Sequence, residues 1–250
     1  MKAIILCAGY GKRMRPYTTI HKYQKTMIPV HGKPLLEYIL EGIRYAGFKD
    51  FLIVVGYRKE QIINYFKNGE KWGINIEYIE QEKLNGTGGA LLLCEELIKD
   101  SHFFLTWGDI LVPYSIYKEV YETFKQEQED FVLTANYLEH LQKGCEIHCT
   151  GEYCSKMVEK PSKKEQCTNL NNNGIFILSK AIFSELKKLT PSKRGEIEIP
   201  AAISNGIKEK RWKVRVIKMT YGTFRGDFGD KKEYERLKED RSWLNLVLDT

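Results

Sequence analysis

Phe51-Leu52-Ile53-Val54-Val55 is an unbroken run of β-type apolar residues that stops at Gly56. A strand wetted on one face alternates apolar with polar side chains. Five apolar residues in succession therefore describe a strand covered on both faces, as in a parallel sheet flanked by helices. The neighbouring segments agree. Leu35, Leu36, Ile39, Leu40 and Ile43 recur at helical spacing, with Pro34 near the start and Gly47 at the end. Helical spacing returns around Ile62, Ile63 and Phe66 and over Leu91 to Ile98. Strand patterns occupy Ile74 to Ile79 and Phe103 to Trp107, the latter stopping at Gly108-Asp109. This alternation predicts a doubly wound, mostly parallel α/β sheet of the three-layer, Rossmann-like kind.

The second half is less regular. Phe131 to Ala135, Cys145 to Cys149 and Tyr153 to Val158 read as strands of a small, mostly antiparallel insertion. Gly174 to Leu178 and Val214 to Met219 read as strands, Ala181 to Leu189 as a helix, and Lys231 to Asp240 as a charged surface helix. No internal repeat and no Pro/Gly/Ser-rich linker interrupts the 250 residues, so one compact domain over 1–250 is expected.

Ligands of such sheets sit at the carboxyl ends of the strands. Gly9-Tyr10-Gly11-Lys12-Arg13 lies at such an end, directly after the run Lys2 to Cys7. Two glycines let backbone N–H groups approach an anion without Cβ obstruction, and Arg13 adds a forked cation. A dinucleotide loop would place a third glycine where Met14 stands, and a P-loop would follow Lys12 with Ser or Thr rather than Arg13. Both are disfavoured; alone, the segment also fits a plain strand-to-helix turn. Gly108-Asp109 ends another strand and is expected in the same crevice.

The formal charge of +6 is spread over scattered lysines, which suits small polyanionic substrates. No dense basic block or nucleic-acid motif points to DNA or RNA. No apolar stretch approaches the ~20 residues of a membrane span, and the first strand is too short for a signal peptide, so a soluble cytoplasmic protein is expected. Cys145, Cys149, Cys154 and Cys167, with His140 and His148, lack the Cys-x-x-Cys spacing of a zinc site; free thiols are expected.

Taken together the motifs resemble the sugar-1-phosphate nucleotidyltransferases (NDP-sugar pyrophosphorylases) over almost the whole chain. Ala8-Gly9-Tyr10-Gly11-Lys12-Arg13-Met14-Arg15-Pro16 is similar to that family's Gly-x-Gly-x-Arg loop, and Lys25-Thr26-Met27-Ile28-Pro29-Val30 to its Lys-x-Met/Leu-x-Pro element. Gln81 with Asn85-Gly86-Thr87-Gly88-Gly89-Ala90 resembles its base-reading segment, and Gly108-Asp109 its metal-binding strand end. Glu159-Lys160-Pro161, Asn173-Gly174, Gly195-Glu196-Ile197-Glu198 and Asp227-Phe228-Gly229 follow in the family's order.

The resemblance implies a nucleotide-diphospho-sugar transferase fold and an enzyme that moves a nucleotidyl group from an NTP to a sugar 1-phosphate. It implies Arg13 on the β- and γ-phosphates, Lys25 on the α-phosphate and Lys160 on the sugar phosphate. Asp109 and Asp227 would hold Mg²⁺. The backbone at Ala8, Gly9 and Gly11, with Gln81, Gly86 and Thr87, would bind the nucleotide. Gly144, Glu159, Asn173 and Glu196 would bind the sugar phosphate, with Glu198 the alternative to Glu196. Thr26, Cys145-Glu146, Asp230 and Ile110 depart from common family residues and leave the base and the sugar open. A transferase acting on a non-sugar phosphomonoester and a catalytically silent subunit are the alternatives. Relatives often form homo-oligomers. The chain ends soon after its last helix, so the C-terminal repeat domain of many relatives is not expected.

Overall fold

The first strand, β1 (Ala3–Leu6), leads into β2 (Pro29–Val30), β3 (Lys33–Pro34), α1 (Leu35–Tyr45), β4 (Asp50–Val55), α2 (Lys59–Phe66) and β5 (Asn75–Glu80) in a computed structural model that describes residues 1–141 and 144–248. There follow α3 (Thr87–Leu92), β6 (His102–Trp107), β7 (Ile110–Leu111), α4 (Tyr114–Glu127), β8 (Phe131–Tyr137), β9 (Cys145–Thr150) and β10 (Tyr153–Glu159). The remainder is β11 (Leu170–Ser179), α5 (Ile182–Lys188), α6 (Ile199–Lys210), β12 (Val214–Lys218), β13 (Gly226–Asp227), α7 (Lys231–Glu239) and α8 (Trp243–Leu248). The contacts divide these into two units, one of Met1–Lys83, Thr106–Glu119 and the segment from Thr223 onward, the other of Leu84–Leu105 and Val120–Gly222.

In the first unit β1 pairs parallel with β4, and β4 parallel with β5. Helices α1 and α2 make the crossovers that parallel neighbours require. The apolar run Phe51 to Val55 is buried along its whole length, as its composition predicts. Leu36, Ile39, Leu40 and Ile43 form the buried stripe of α1, all fully shielded. Gly42 lies on that helix where a Cβ would stand 2.6 Å from the Tyr117 ring, so glycine sets the close approach of α1 to the first turns of α4.

In the second unit the strands run β6-β11-β8-β12-β10-β9. Antiparallel pairing extends beyond the three strands read from the sequence, because β11 pairs antiparallel with β8 while only β12 runs parallel to β8. Strand β11 also starts earlier than Gly174. Asn171, Asn172 and Asn173 would suit a loop, yet they are buried within the strand. They are tolerated there because their side chains find partners: Asn171 Nδ2 donates to Asn136 Oδ1 of β8 and to the Asn172 carbonyl, both at 2.9 Å. Asn172 Oδ1 in turn accepts the Gly174 N–H at 3.0 Å, beside a register shift of the ladder.

The helix expected over Leu91 to Ile98 forms instead over Thr87–Leu92, followed by a 3₁₀ turn at Glu95–Leu97. Glycines that weigh against a helix in isolation are required by close packing, since a Cβ on Gly88 would lie 2.7 Å from Ile197 Cγ2. Helices α4 and α6 were not anticipated, although Ile116, Tyr117 and Val120, and Ile199, Ala202, Ile203 and Gly206, are buried at helical spacing. Among the described residues no helix is long and apolar enough to cross a membrane.

Candidate active site

The glycine loop is carried on from β1 by β4. The Cys7 N–H donates to the Val54 carbonyl at 2.8 Å and the Tyr57 N–H to the Ala8 carbonyl at 3.1 Å. Gly11 has φ 62°, and a Cβ there would lie 2.9 Å from both Lys25 Cβ and Thr18 Cγ2. Glycine is needed at this position for conformation and for space. The loop passes into a 3₁₀ turn at Lys12–Met14, which leaves Arg13 exposed and Met14 buried beneath it. On its outer side Tyr10, Lys12, Arg15, Thr18, Thr19 and Tyr57 line a cavity of about 340 Å³.

Lys25 is positioned by a residue the sequence reading passed over. Gln24 is fully buried; its Nε2 donates to the Cys7 carbonyl at 2.6 Å, and its Oε1 accepts from the Thr26 N–H and, at 2.8 Å, from the Thr26 hydroxyl. The threonine that departs from the family pattern thus completes a hydrogen-bonded clasp on the glycine loop. From it Lys25 Nζ reaches Asp109 Oδ2 at 2.6 Å. Burial alone would raise the Asp109 carboxyl, but the Lys25 ammonium, with Arg13 and Arg225, holds it below the usual carboxylate range.

Asp227 reaches Asp109 across a very short ribbon. Strands β7 and β13 pair antiparallel with Asp227 opposite Ile110, and the Phe228 N–H donates to the Asp109 carbonyl at 2.9 Å. Ile110, which departs from common family residues beside Asp109, therefore contributes backbone register. The three side chains converge on Gly229. A Cβ placed there would lie 2.7 Å from Asp109 Oδ2, 3.0 Å from Asp227 Oδ1 and 3.0 Å from Arg13 Nη2. The Gly229 N–H donates to Asp227 Oδ1 at 3.0 Å, and Arg225 Nη1 stands 3.5 Å from Asp227 Oδ2. Two carboxylates face one point, ringed by Arg13, Lys25 and Arg225, an arrangement of oxygen donors and cations that could hold a hard cation beside phosphates. Gln81 belongs to the same unit; it is buried, and its N–H donates to the Val55 carbonyl at 2.8 Å.

The second unit gathers the other predicted residues. Gly86 has φ 97°, and a Cβ there would press within 2.5 Å of the Ile197 carbonyl. The Ile197 N–H donates to the Asn85 carbonyl at 2.7 Å and the Gly88 N–H to the Ile197 carbonyl at 2.8 Å, which knits the Gly86-Thr87 segment onto Glu196-Ile197-Glu198. Arg194 draws three carboxylates together: its Nη2 lies 2.7 Å from Glu198, 3.2 Å from Glu196 and 3.4 Å from Glu159. Glu196 and Glu198, alternatives in the sequence, stand on the same guanidinium. Burial, then the Glu198 charge, pushes the Glu159 carboxyl up to about 7 against the pull of Arg194.

Lys160 follows β10 at φ 49°, exposed, with its N–H donating to the Gly144 carbonyl at 2.8 Å. At Gly144 a Cβ would meet Asn171 Oδ1 at 2.2 Å, the atom that accepts the Cys145 N–H at 3.2 Å. Asn173 is fully buried, its Nδ2 3.2 Å from Met219 Sδ. Arg225, Gln24 and Arg194 were missed by sequence reading because single charged or amide residues carry no pattern until their neighbours are known.

Comparison with known proteins gives the family. The nucleotidyl transferase family model matches residues 2–242. The bifunctional protein GlmU of Methanococcus maripaludis is 40% identical over 208 residues, which cover 83% of this chain and 47% of that protein. Agl11 of Haloferax volcanii, a low-salt glycan biosynthesis nucleotidyltransferase, is 30% identical over 212 residues, 84% of this chain and 58% of that one. The chain spans about half the length of the GlmU relatives it matches. A crystal structure of UDP-glucose pyrophosphorylase complexed with UDP-glucose is similar at TM-score 0.83 and 26% identity, over 95% of this chain and 97% of that one, and the two share a Rossmann-like α/β fold. With a family model matching residues 2–242 and a relative 40% identical over 83% of its length, the chain belongs to the nucleotidyl transferase family.

Proposed function

We propose that the protein transfers a nucleotidyl group from a nucleoside triphosphate to a sugar 1-phosphate and releases pyrophosphate. The convergence of Arg13, Asp109 and Asp227 at Gly229, with Lys25 paired to Asp109, is the observation that carries this reading. The match to residues 2–242 supports reading both units as one nucleotidyltransferase domain. A phosphate oxygen of the sugar phosphate attacks the α-phosphorus while pyrophosphate leaves from the opposite side. The nucleophile is already an anion, so the protein needs no strong general base. Its work is to align two anions and neutralise the charge that develops.

Arg13 suits the departing β- and γ-phosphates, since its planar fork binds two oxygens at once. Lys25 exchanges Asp109 for the α-phosphate as nucleotide binds. Lys160, exposed at the end of β10, receives the sugar phosphate. Asp109 and Asp227 present oxygen ligands to a common point, the donor set a magnesium ion takes. Magnesium, when bound, supplies positive charge at the nucleotide phosphates. Gln81 and the backbone at Ala8, Gly9, Gly11, Gly86 and Thr87 bind the nucleoside, the Gln81 amide both donating and accepting toward the base. Glu159, Glu196 and Asn173, with the Gly144 backbone, read the sugar. The cytoplasm, where nucleoside triphosphates are held, is the compartment this reading implies.

The test is a matrix of five nucleoside triphosphates against a panel of sugar 1-phosphates in the presence of magnesium, read by pyrophosphate release. Turnover with at least one pair is expected. No release with any pair, from a protein that melts cooperatively, would refute the proposal.

A further inference from the structure

Strands β9 and β10 form a hairpin that carries three of the six cysteines. Thr150 pairs with Tyr153 across a two-residue loop, Gly151-Glu152, and Gly151 at φ 62° supplies the left-handed first position that such tight hairpins need. Cys149 and Cys154 are the next pair back from that loop. Thr150 and Tyr153, flanking a two-residue loop, make a hydrogen-bonded pair, so Cys149 and Cys154 make a non-hydrogen-bonded one. Side chains of such a pair share a face and stand closer together than in the alternate pair. Cα atoms of such pairs stand about 4.5 Å apart, within the roughly 4.4–6.8 Å that a disulfide spans. The register shift of the ladder falls after Cys154 and leaves this pair regular.

We propose that Cys149 and Cys154 are a reversible modification site, closing to a cross-strand disulfide when a low-molecular-weight disulfide such as oxidised glutathione is the oxidant. Cys149 is the attacking residue. It is half-buried whereas Cys154 is 4% exposed, and the Lys218 ammonium, which donates to the Gly151 carbonyl at 3.0 Å, opposes the effect of burial on the Cys149 thiol. The Cys149 thiolate attacks one sulfur of glutathione disulfide, forming a mixed disulfide and expelling one glutathione thiolate. Cys154, deprotonated, then attacks the Cys149 sulfur and expels the second glutathione. Two protein thiols are oxidised, one glutathione disulfide is reduced, and no other reagent is consumed. Burial raises both thiols, Cys154 to about 12, so closure is slow near neutral pH and quickens as pH rises. At its open end the same hairpin sets Cys145 opposite Glu159, so the bond fixes the strand pair on which a sugar-reading residue stands.

The test incubates the intact reduced protein with oxidised glutathione, blocks the remaining thiols by alkylation and digests with a glutamyl endopeptidase. Cleavage after Glu146 and Glu152 puts Cys145, Cys149 and Cys154 on separate peptides. The expected result is peptide 147–152 joined to peptide 153–159 by a link that reductant opens, with loss of two blockable thiols. Cys149→Ser and Cys154→Ser each abolish the link. Recovery of both cysteines alkylated, or as glutathione adducts, while the exposed Cys167 has reacted would overturn the proposal. So would a bond from either to Cys145.

Discussion

Gly229→Ala adds one carbon at the point where Arg13, Asp109 and Asp227 meet. That carbon would lie 2.7 Å from Asp109 Oδ2 and 3.0 Å from Asp227 Oδ1 and Arg13 Nη2, where ordinary contact begins at 3.4 Å. The two carboxylates and the guanidinium must each retreat by several tenths of an ångström. Such a shift is large against a magnesium–oxygen bond of about 2.1 Å. Misplacement on the order of 1 Å lowers rates by ~10²-fold, equivalent to ~2.7 kcal/mol in the barrier. Gly229 does not occupy the left-handed region, so alanine meets no backbone strain there and the fold should hold, with Tm within ~4 °C of the parent. Pyrophosphate release at saturating substrates, measured beside a thermal melt, reads both quantities. An alanine variant that turns over within threefold of the parent would show that the point beside Gly229 is not where the reacting phosphates are held.

Lys25→Ala and Lys160→Ala should each lower turnover by ~10²-fold, the scale for loss of one preorganised charge, as pyrophosphate release will show. With Glu159 raised to about 7, the native state binds a proton that the unfolded chain has released between its ordinary value and about 7. The contribution of this residue to stability therefore declines as pH rises through that window. The same titration gives a KM for the sugar phosphate that falls as pH rises through 7. Glu159→Gln should flatten that dependence, and a KM equal on both sides of 7 in the parent would contradict it. Gly144→Ala should displace Asn171 from the Cys145 N–H, destabilising the fold by ~1–3 kcal/mol in a denaturant titration and raising KM for the sugar phosphate.

Much of the fold was legible because periodicity depends on local chain geometry. The runs at Phe51 to Val55 and Phe103 to Trp107 became β4 and β6, and the stripe from Leu35 to Ile43 became α1. Patterns failed where tertiary contacts overrode propensity. Thr87–Leu92 is helical despite two glycines because Ile197 packs where a Gly88 side chain would be and Asn85 where a Gly89 side chain would be, and Asn171 and Asn172 remain in a strand because their side chains bond Asn136, the Asn172 carbonyl and the Gly174 N–H.

The candidate residues were likewise readable one motif at a time, the glycine loop and the strand-end Asp109 from local chemistry and the Asp227-Phe228-Gly229 segment from the family resemblance. Their convergence was expected from the strand-end rule and the family resemblance, but the contacts that produce it were not readable. The antiparallel contact of Ile110 with Asp227, the Gln24 clasp that aims Lys25 at Asp109, and the Arg194 guanidinium that brings Glu159 to Glu196 and Glu198 join segments remote in the sequence. Composition and spacing determine which groups the chain possesses and which elements carry them. Only packing, which brings remote backbone within hydrogen-bonding distance and excludes water from between the charges, decides which groups act on one another.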